Sequence, residues 1–438
     1  MQNFKLFQIL ADYNYFWSTG EIECGLPRDI LSTCLDQLES KEAIVIKGVR
    51  RSGKSTLLDQ IIHHLLRNGI SPTRILKINF EEPLFSSEYS IDLLEQIYRL
   101  YRERVQPNEK VWLFLDEIQN ISGWESWVRG RLETEEVKIF LTGSSSQMLS
   151  REIGTKLTGR QVSFEIYPLS FSEFLKFNDI SIKNEVDYVH NKTIIRHLFR
   201  EYLKYGGFPE VVLKERDKDK MLLLKNYFED ILYRDIATRY EIRDIANLRN
   251  LAVYLLTNIA KPTSVNKLRK KFSISQDKTE NYVSAVLESY LLFQVQKFAF
   301  SLKNTLRSGF KPYAIDSGLR NRVAFSFSAD SGRVIENAVY CELKRRHEEI
   351  YFLSNGFEID FVVKEGPEIS KLIQVWHEDS QTASIPEREL NSFFKQDRAS
   401  PQTQRLLISN DYEDIVRMAG MEIHCLPAIK FFLPESTK

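Results

Sequence analysis

Apolar and polar positions along the chain fall into two kinds of block. Short apolar runs at residues 43–47, 75–80, 111–115 and 137–141 have the length and the β-branched or aromatic content of buried strands. Between them, residues 56–66 and 91–104 carry apolar side chains at helical spacing. Strands alternating with helices predict an α/β fold: a parallel sheet covered by helices on both faces. Ligands of such sheets bind beyond the carboxyl ends of the strands, so the polar strand ends at Gly48, Asp116 and Thr142 are expected to converge. Upstream, residues 1–40 read as helical, with Phe4, Leu6, Phe7, Leu10, Tyr13 and Phe16 on a mixed apolar face. A short amphipathic helix at 30–38 follows Pro27-Arg28-Asp29.

Past residue 151 the pattern changes. A strand at 162–166 leads into a helix start at Pro168-Leu169-Ser170-Phe171-Ser172, with Ser172 as its expected cap. Residues 178–192 are polar and unpatterned, which predicts a surface loop, and Tyr205-Gly206-Gly207-Phe208-Pro209 predicts a tight turn. A periodic helix at 220–240 completes a segment, 166–243, that reads as a helical lid following a core at 1–165. Residues 244–310 read as three helices (248–259, 264–272 and 275–292) closed by a β-like stretch at 293–300, a winged-helix-like module. Its middle helix carries Lys267, Arg269, Lys270 and Lys271, basic enough for DNA and equally consistent with a packing module whose basic face is solvated. Residues 311–438 form a last α/β unit, with a helix at 333–346 and strands at 349–353, 358–363 and 371–376.

Composition narrows the classes without choosing one. With 438 residues, two or three domains are expected, and 43% hydrophobic against 27% charged residues is an ordinary globular balance. The 60 basic and 60 acidic side chains cancel, so net charge points to no partner. Cys24, Cys34, Cys341 and Cys425 include no C-x-x-C pair, which favours reduced thiols over a metal site. The N-terminus lacks a basic region and a long apolar core, and nowhere do about 18 apolar residues run together. A cytoplasmic protein with no membrane span is expected.

The chemistry concentrates at the strand ends. Gly48-x-x-x-x-Gly53-Lys54-Ser55 between a strand and a helix is the pattern of a phosphate-cradling loop. Its backbone N–H groups, across Gly48, Val49, Arg50, Arg51, Ser52, Gly53, Lys54, Ser55 and Thr56, would meet the phosphates of ATP. Lys54 would reach the terminal phosphates and Ser55 would hold Mg²⁺, while Arg50 and Arg51 would help to screen phosphate charge. Asp116 follows four apolar residues, as a strand-borne Mg²⁺ ligand requires, and Glu117 is placed to polarise the attacking water. Thr142, Ser144 and Ser145 are candidates to sense the γ-phosphate. Arg160 is a candidate arginine finger, acting within the chain or on a neighbour in a nucleotide-dependent homo-oligomer.

The runs GVRRSGKSTLL, LDEIQNISGWE, LTGSSSQML, LTGR, YPLSFSEF and YGGFP resemble a prokaryotic AAA-type P-loop ATPase family, over nearly the whole chain. The resemblance implies an AAA-type ATPase core, a winged-helix middle and a C-terminal domain related to the PD-(D/E)XK nucleases. Such nucleases need two strand acids, a lysine two residues after the second, and often a helix acid. Here Glu336 and Asp360 fit, but Gln374 stands at the second acid and Trp376 at the lysine. Lys364 or Lys344 would have to take over the lysine's role. The expected reading is therefore an Mg²⁺-dependent ATPase acting on a macromolecular partner through docking modules, with nuclease activity absent. The alternatives are an ATP-regulated DNA-binding or DNA-processing protein and an ATP-switched scaffold.

Overall fold

The structure, a computed structural model, describes residues 3–85, 89–144, 157, 159–299, 309–325, 331–354, 356–376, 385–394, 400, 402–418 and 420–433. It divides into two compact units, Met1–Tyr167 and Pro168–Lys438.

The first unit is an α/β layer structure. Its strands are β1 (Ala43–Lys47), β2 (Ile75–Asn79), β3 (Val111–Asp116), β4 (Val137–Gly143) and β5 (Gln161–Glu165). They pair in the order β2-β3-β4-β1-β5, all parallel. Because side chains alternate faces along a strand, Val45, Ile78, Leu113, Leu115, Ile139 and Leu141 pack one way, against the helices Asn3–Tyr13, Ile91–Arg104 and Trp124–Thr134. Ile44, Ile46, Trp112, Phe114 and Phe140 pack the other way, with Leu57, Leu58, Ile61 and Ile62 of the helix Lys54–Arg67. Each such buried aliphatic or aromatic side chain contributes roughly 1.5–3 kcal/mol of transfer free energy.

The second unit is built on a mixed sheet of eight strands. These are β6 (Leu292–Lys297), β7 (Phe310–Ala314), β8 (Glu349–Ser354), β9 (Glu358–Glu365), β10 (Glu368–Val375), β11 (Gln404–Ser409), β12 (Asp414–Met418) and β13 (Met421–Pro427). The order is β12-β13-β11-β10-β9-β8-β6-β7. β7 is an edge, which is where Pro312, lacking an N–H, is tolerated. The helices Ile245–Thr257, Val265–Phe272 and Gln276–Glu288 precede β6, and β6 pairs with both β7 and β8, so the strands on either side of residue 310 share one sheet.

Three expectations for this unit need correction. The stretch 178–192 is not a loop throughout, since a helix, Glu185–Tyr205, starts within it. Asn184 caps it by accepting the Asp187 N–H, and its buried residues, Tyr188, Ile195, Leu198, Phe199 and Tyr202, are spaced too widely at first to stand out. The helix after Leu169 is capped by Ser170, not Ser172, in a reciprocal box with Glu173. The helix expected at 220–240 is α-helical over Asp217–Asp230 and π-helical over Ile231–Thr238. Among the described residues, no helix is long and apolar enough to cross a membrane.

Candidate active site

β1 ends at Lys47, and residues 48–53 turn the chain into the helix Lys54–Arg67. Gly48 has no room for a side chain, because a Cβ there would lie 2.0 Å from the Ile166 carbonyl oxygen. Gly53 caps the helix at φ 97°, a left-handed conformation that costs glycine nothing. The loop is braced from behind. Ser52 Oγ donates to the Val49 carbonyl at 2.8 Å, and buried Arg28 donates to the carbonyls of Ser52 (2.7 Å) and Tyr167 (2.9 Å). The Arg28 N–H in turn donates to Gln60 Oε1 at 3.2 Å.

The ends of β3 and β4 close around this loop. Asp116, 0% exposed, accepts from Ser55 Oγ at 2.6 Å, from Asn79 Nδ2 at 3.2 Å and from Thr142 Oγ1. Thr142 Oγ1 also accepts the Glu117 N–H at 2.9 Å, so one hydroxyl ties both acids to β4. Lys54 Nζ donates to the carbonyls of Gly48 (3.2 Å) and Val49 (3.3 Å) and lies 3.3 Å from Glu117 Oε1. Glu117 sits in the left-handed region at φ 53°, a strained backbone for a non-glycine residue. Gln119 Nε2 donates to Glu117 Oε2 at 2.5 Å and lies 3.5 Å from Ser144 Oγ, while Gln119 Oε1 is buried with no hydrogen-bond partner among the described residues.

The two acids are held differently. Burial pushes the Asp116 carboxyl up, and the charge of Glu117 adds to this against the Ser55 and Thr142 hydroxyls and Lys54. Burial also acts upward on Glu117, but Lys54, Gln119 and Arg50 outweigh it and hold that carboxyl below its ordinary value. Without ligand, Lys54 is thus the counter-charge that Glu117 faces.

The pattern of an AAA domain matches residues 40–175, and that of a domain of unknown function (DUF8612) matches residues 196–330. The uncharacterized protein MJ1544 of Methanocaldococcus jannaschii is 36% identical over 362 residues, spanning 80% of this chain and 78% of that protein. An uncharacterized protein of Haemophilus influenzae is 30% identical over 387 residues, 86% of this chain and 92% of its own. The chain belongs to one family with these two proteins, and residues 40–175 are its AAA domain. Among solved structures it is similar to AMPPCP-bound DnaA from Aquifex aeolicus, at 18% identity and TM-score 0.27 over 59% of this chain and 86% of that one. It is also similar to a signal transduction ATPase with numerous domains from Pyrococcus horikoshii, at 11% identity and TM-score 0.25 over 74% and 46%.

Within the AAA domain, Gly48, Val49, Ser52, Gly53, Lys54, Ser55, Asp116, Glu117, Thr142 and Ser144 lie on the loop and at the ends of β3 and β4. Arg50 pairs with Glu81 at 2.6 Å, and Arg51 and Thr56 are exposed. Ser145 lies outside the described residues. Arg160 is not brought to this site. Its carbonyl accepts the N–H of Ala43 at the start of β1, roughly 15 Å of strand from the loop. Its exposed guanidinium pairs with Glu133. A role for it within the same chain's site is therefore corrected, because strand register sets it at the opposite end of the sheet. Sequence reading missed Arg28, Asn79 and Gln119. The LDEIQN run shows Gln119 two positions past Glu117, but nothing local tells that its amide turns back.

Outside the AAA domain, Glu336 and Asp360 do meet, around a residue that sequence reading passed over. Lys311 Nζ, on β7, lies 3.1 Å from Asp360, 3.3 Å from Glu336 and 2.9 Å from Glu358. Tyr313 Oη donates to Glu336 at 2.7 Å. Gln374 Oε1 accepts the Asp360 N–H at 3.2 Å, and Trp376 is buried in an apolar cluster with Ile359, Val362 and Phe393. Lys364 pairs with Glu349 at 3.4 Å, and Lys344 lies eight residues along the helix Ser331–Arg346 from Glu336, about 12 Å of rise. Neither takes the expected lysine's place. The available signal was a single lysine inside the apolar run FKPYA.

Proposed function

We propose that this chain binds ATP with Mg²⁺ and hydrolyses it, using the cycle to drive a conformational change that acts on a macromolecular partner. The observation that carries the reading is the joined set Lys54, Ser55, Asp116, Glu117 and Thr142 at three strand ends. The residues suit the groups they would hold. Ser55 and Asp116 offer hard oxygen donors 2.6 Å apart, of the kind Mg²⁺ takes. The loop cannot carry a Cβ at Gly48, which leaves bare backbone at its entrance. Mg²⁺, held by Ser55 and Asp116, would neutralise charge on the phosphates.

The chain's own groups do the remainder. Backbone N–H groups of residues 48–56 bind the phosphates, and Lys54 exchanges Glu117 for the terminal phosphate. Glu117, relieved of its counter-charge, takes the proton of the attacking water at its carboxylate oxygen. Gln119 holds that carboxylate through Nε2 and offers its unanswered Oε1 to the water's second hydrogen. Arg160 would serve the site of a second copy. Residues 166–243, 244–310 and 311–438 are the segments proposed to carry the conformational change to the partner. Exposed Lys267, Lys270 and Lys271 favour nucleic acid as one such partner.

The test is phosphate release by the purified full chain. Release is expected with ATP and Mg²⁺ and should stop when EDTA removes the metal. No release, with or without DNA, would sink the hydrolysis reading. In the same tubes supercoiled and linear DNA should stay intact with Mg²⁺ or Mn²⁺, because Lys311 already answers the Glu336 and Asp360 carboxylates. Nicked DNA would instead establish the processing enzyme.

A further inference from the structure

Arg50 and Glu81 follow strands that are not neighbours. Arg50 lies in the loop after β1 and Glu81 just past the end of β2, yet Arg50 Nη2 lies 2.6 Å from Glu81 Oε1. The order β2-β3-β4-β1 puts two strands between them, so β1 and β2 are about 14 Å apart at the usual spacing. The ion pair therefore passes over the carboxyl ends of β3 and β4, where Asp116, Glu117 and Thr142 sit. Glu81 is fixed beside the same group. Its N–H donates to Asn79 Oδ1 at 2.7 Å, and Asn79 Nδ2 donates to Asp116 at 3.2 Å. Glu117 feels the Arg50 charge as well, one of the interactions that hold its carboxyl down. The Arg50 side chain is 12% exposed and that of Glu81 36%. A pair so open to water adds little to folding, so its carboxylate can be exchanged for another anion without loss of the fold.

We propose that Arg50 is a catalytic residue of the hydrolysis proposed for this site, a reading on which this inference rests, and that Glu81 is the positioning residue that holds it ready. When ATP binds, the guanidinium leaves Glu81 for two oxygens of the terminal phosphate, which its planar fork matches. The water oxygen bonds to the terminal phosphorus and one water proton passes to Glu117. The bond from that phosphorus to the bridging oxygen breaks, its electron pair stays on ADP, and inorganic phosphate is released. Arg50 gives up no proton in this sequence. It offsets the negative charge spread over the oxygens of the transferring group. Once phosphate has left, Glu81 takes the guanidinium back. Lys54 makes the parallel exchange, from Glu117 3.3 Å away, so each acid at the strand ends holds a cation in the place of a phosphate.

Phosphate release and the binding of fluorescent ATP and ADP analogues, both read on the full chain, test this. Arg50→Ala should lower kcat about 1,000-fold or more while ADP affinity stays level. Arg50→Lys should restore little of the rate, because an ammonium cannot bridge two oxygens as a guanidinium does. Glu81→Gln should bind ATP about threefold more tightly or better and ADP no differently, since only the terminal phosphate competes with Glu81 for the guanidinium. An arginine that merely braced the loop would weaken both nucleotides alike in Arg50→Ala, and that result overturns the proposal. Without phosphate release from the wild type, the hydrolytic reading itself fails and the catalytic role with it. With release present, an Arg50→Ala variant keeping more than about a tenth of the rate overturns the Arg50 assignment alone. If Arg50→Ala does not fold, Glu81→Gln decides the matter, and an unchanged preference for ATP over ADP overturns the proposal.

Discussion

Glu117→Gln should lose turnover while keeping nucleotide. The rate of phosphate release is expected to fall by about 100- to 10,000-fold, the usual contribution of a positioned general base. Nucleotide affinity should stay level or rise, because Lys54 no longer has to leave an anionic partner 3.3 Å away. Lys54→Ala separates the two effects. It removes the cation meant for the terminal phosphates, so binding and turnover should fall together. Phosphate release paired with titration of a fluorescent ATP analogue reads both quantities. A Glu117→Gln enzyme retaining more than about a tenth of the rate would show that the proton goes elsewhere.

Lys311→Met should be the most destabilising change in the second unit. It leaves buried Asp360 without its cation, and removing one partner of a buried ionic group typically costs about 3–5 kcal/mol. The loss should grow with pH. Burial, then the charge of Asp360, raises the Glu336 carboxyl from 4.5 to about 8. The folded state therefore favours protonated Glu336, and its contribution is fully present below pH 4.5 and lost as pH rises through about 8. In the wild type Lys311 offsets part of that loss, and in Lys311→Met nothing does. Urea midpoints measured between acidic and alkaline pH check this, with Glu336→Gln expected to flatten the slope. An unchanged midpoint for Lys311→Met would mean the cluster is solvated rather than buried.

The contrast between these two sites shows what was legible beforehand. The phosphate loop could be read because its chemistry is local: a strand, a glycine turn, a lysine and a hydroxyl within eight consecutive residues. Asp116-Glu117 and Thr142 were legible for a related reason. A parallel sheet obliges its polar strand ends to lie on one edge. Trp376 likewise announced that a lysine was missing, and the structure buries it among apolar side chains.

What could not be read depended on the partners that distant elements present to one another. Lys311 and Asp360 are 49 residues apart and meet only because β6 pairs with both β7 and β8 and so joins two separate hairpins in one sheet. Arg160 lies beside a strand of the site, yet register puts it at the far end. Gln119 gains its role from a turn that no spacing rule encodes. Periodicity and short motifs prescribe which residues share a strand end or a helix face, because those relations span a few bonds. Which charge is answered, and by whom, follows from strand order and burial, and these arise from packing the whole chain.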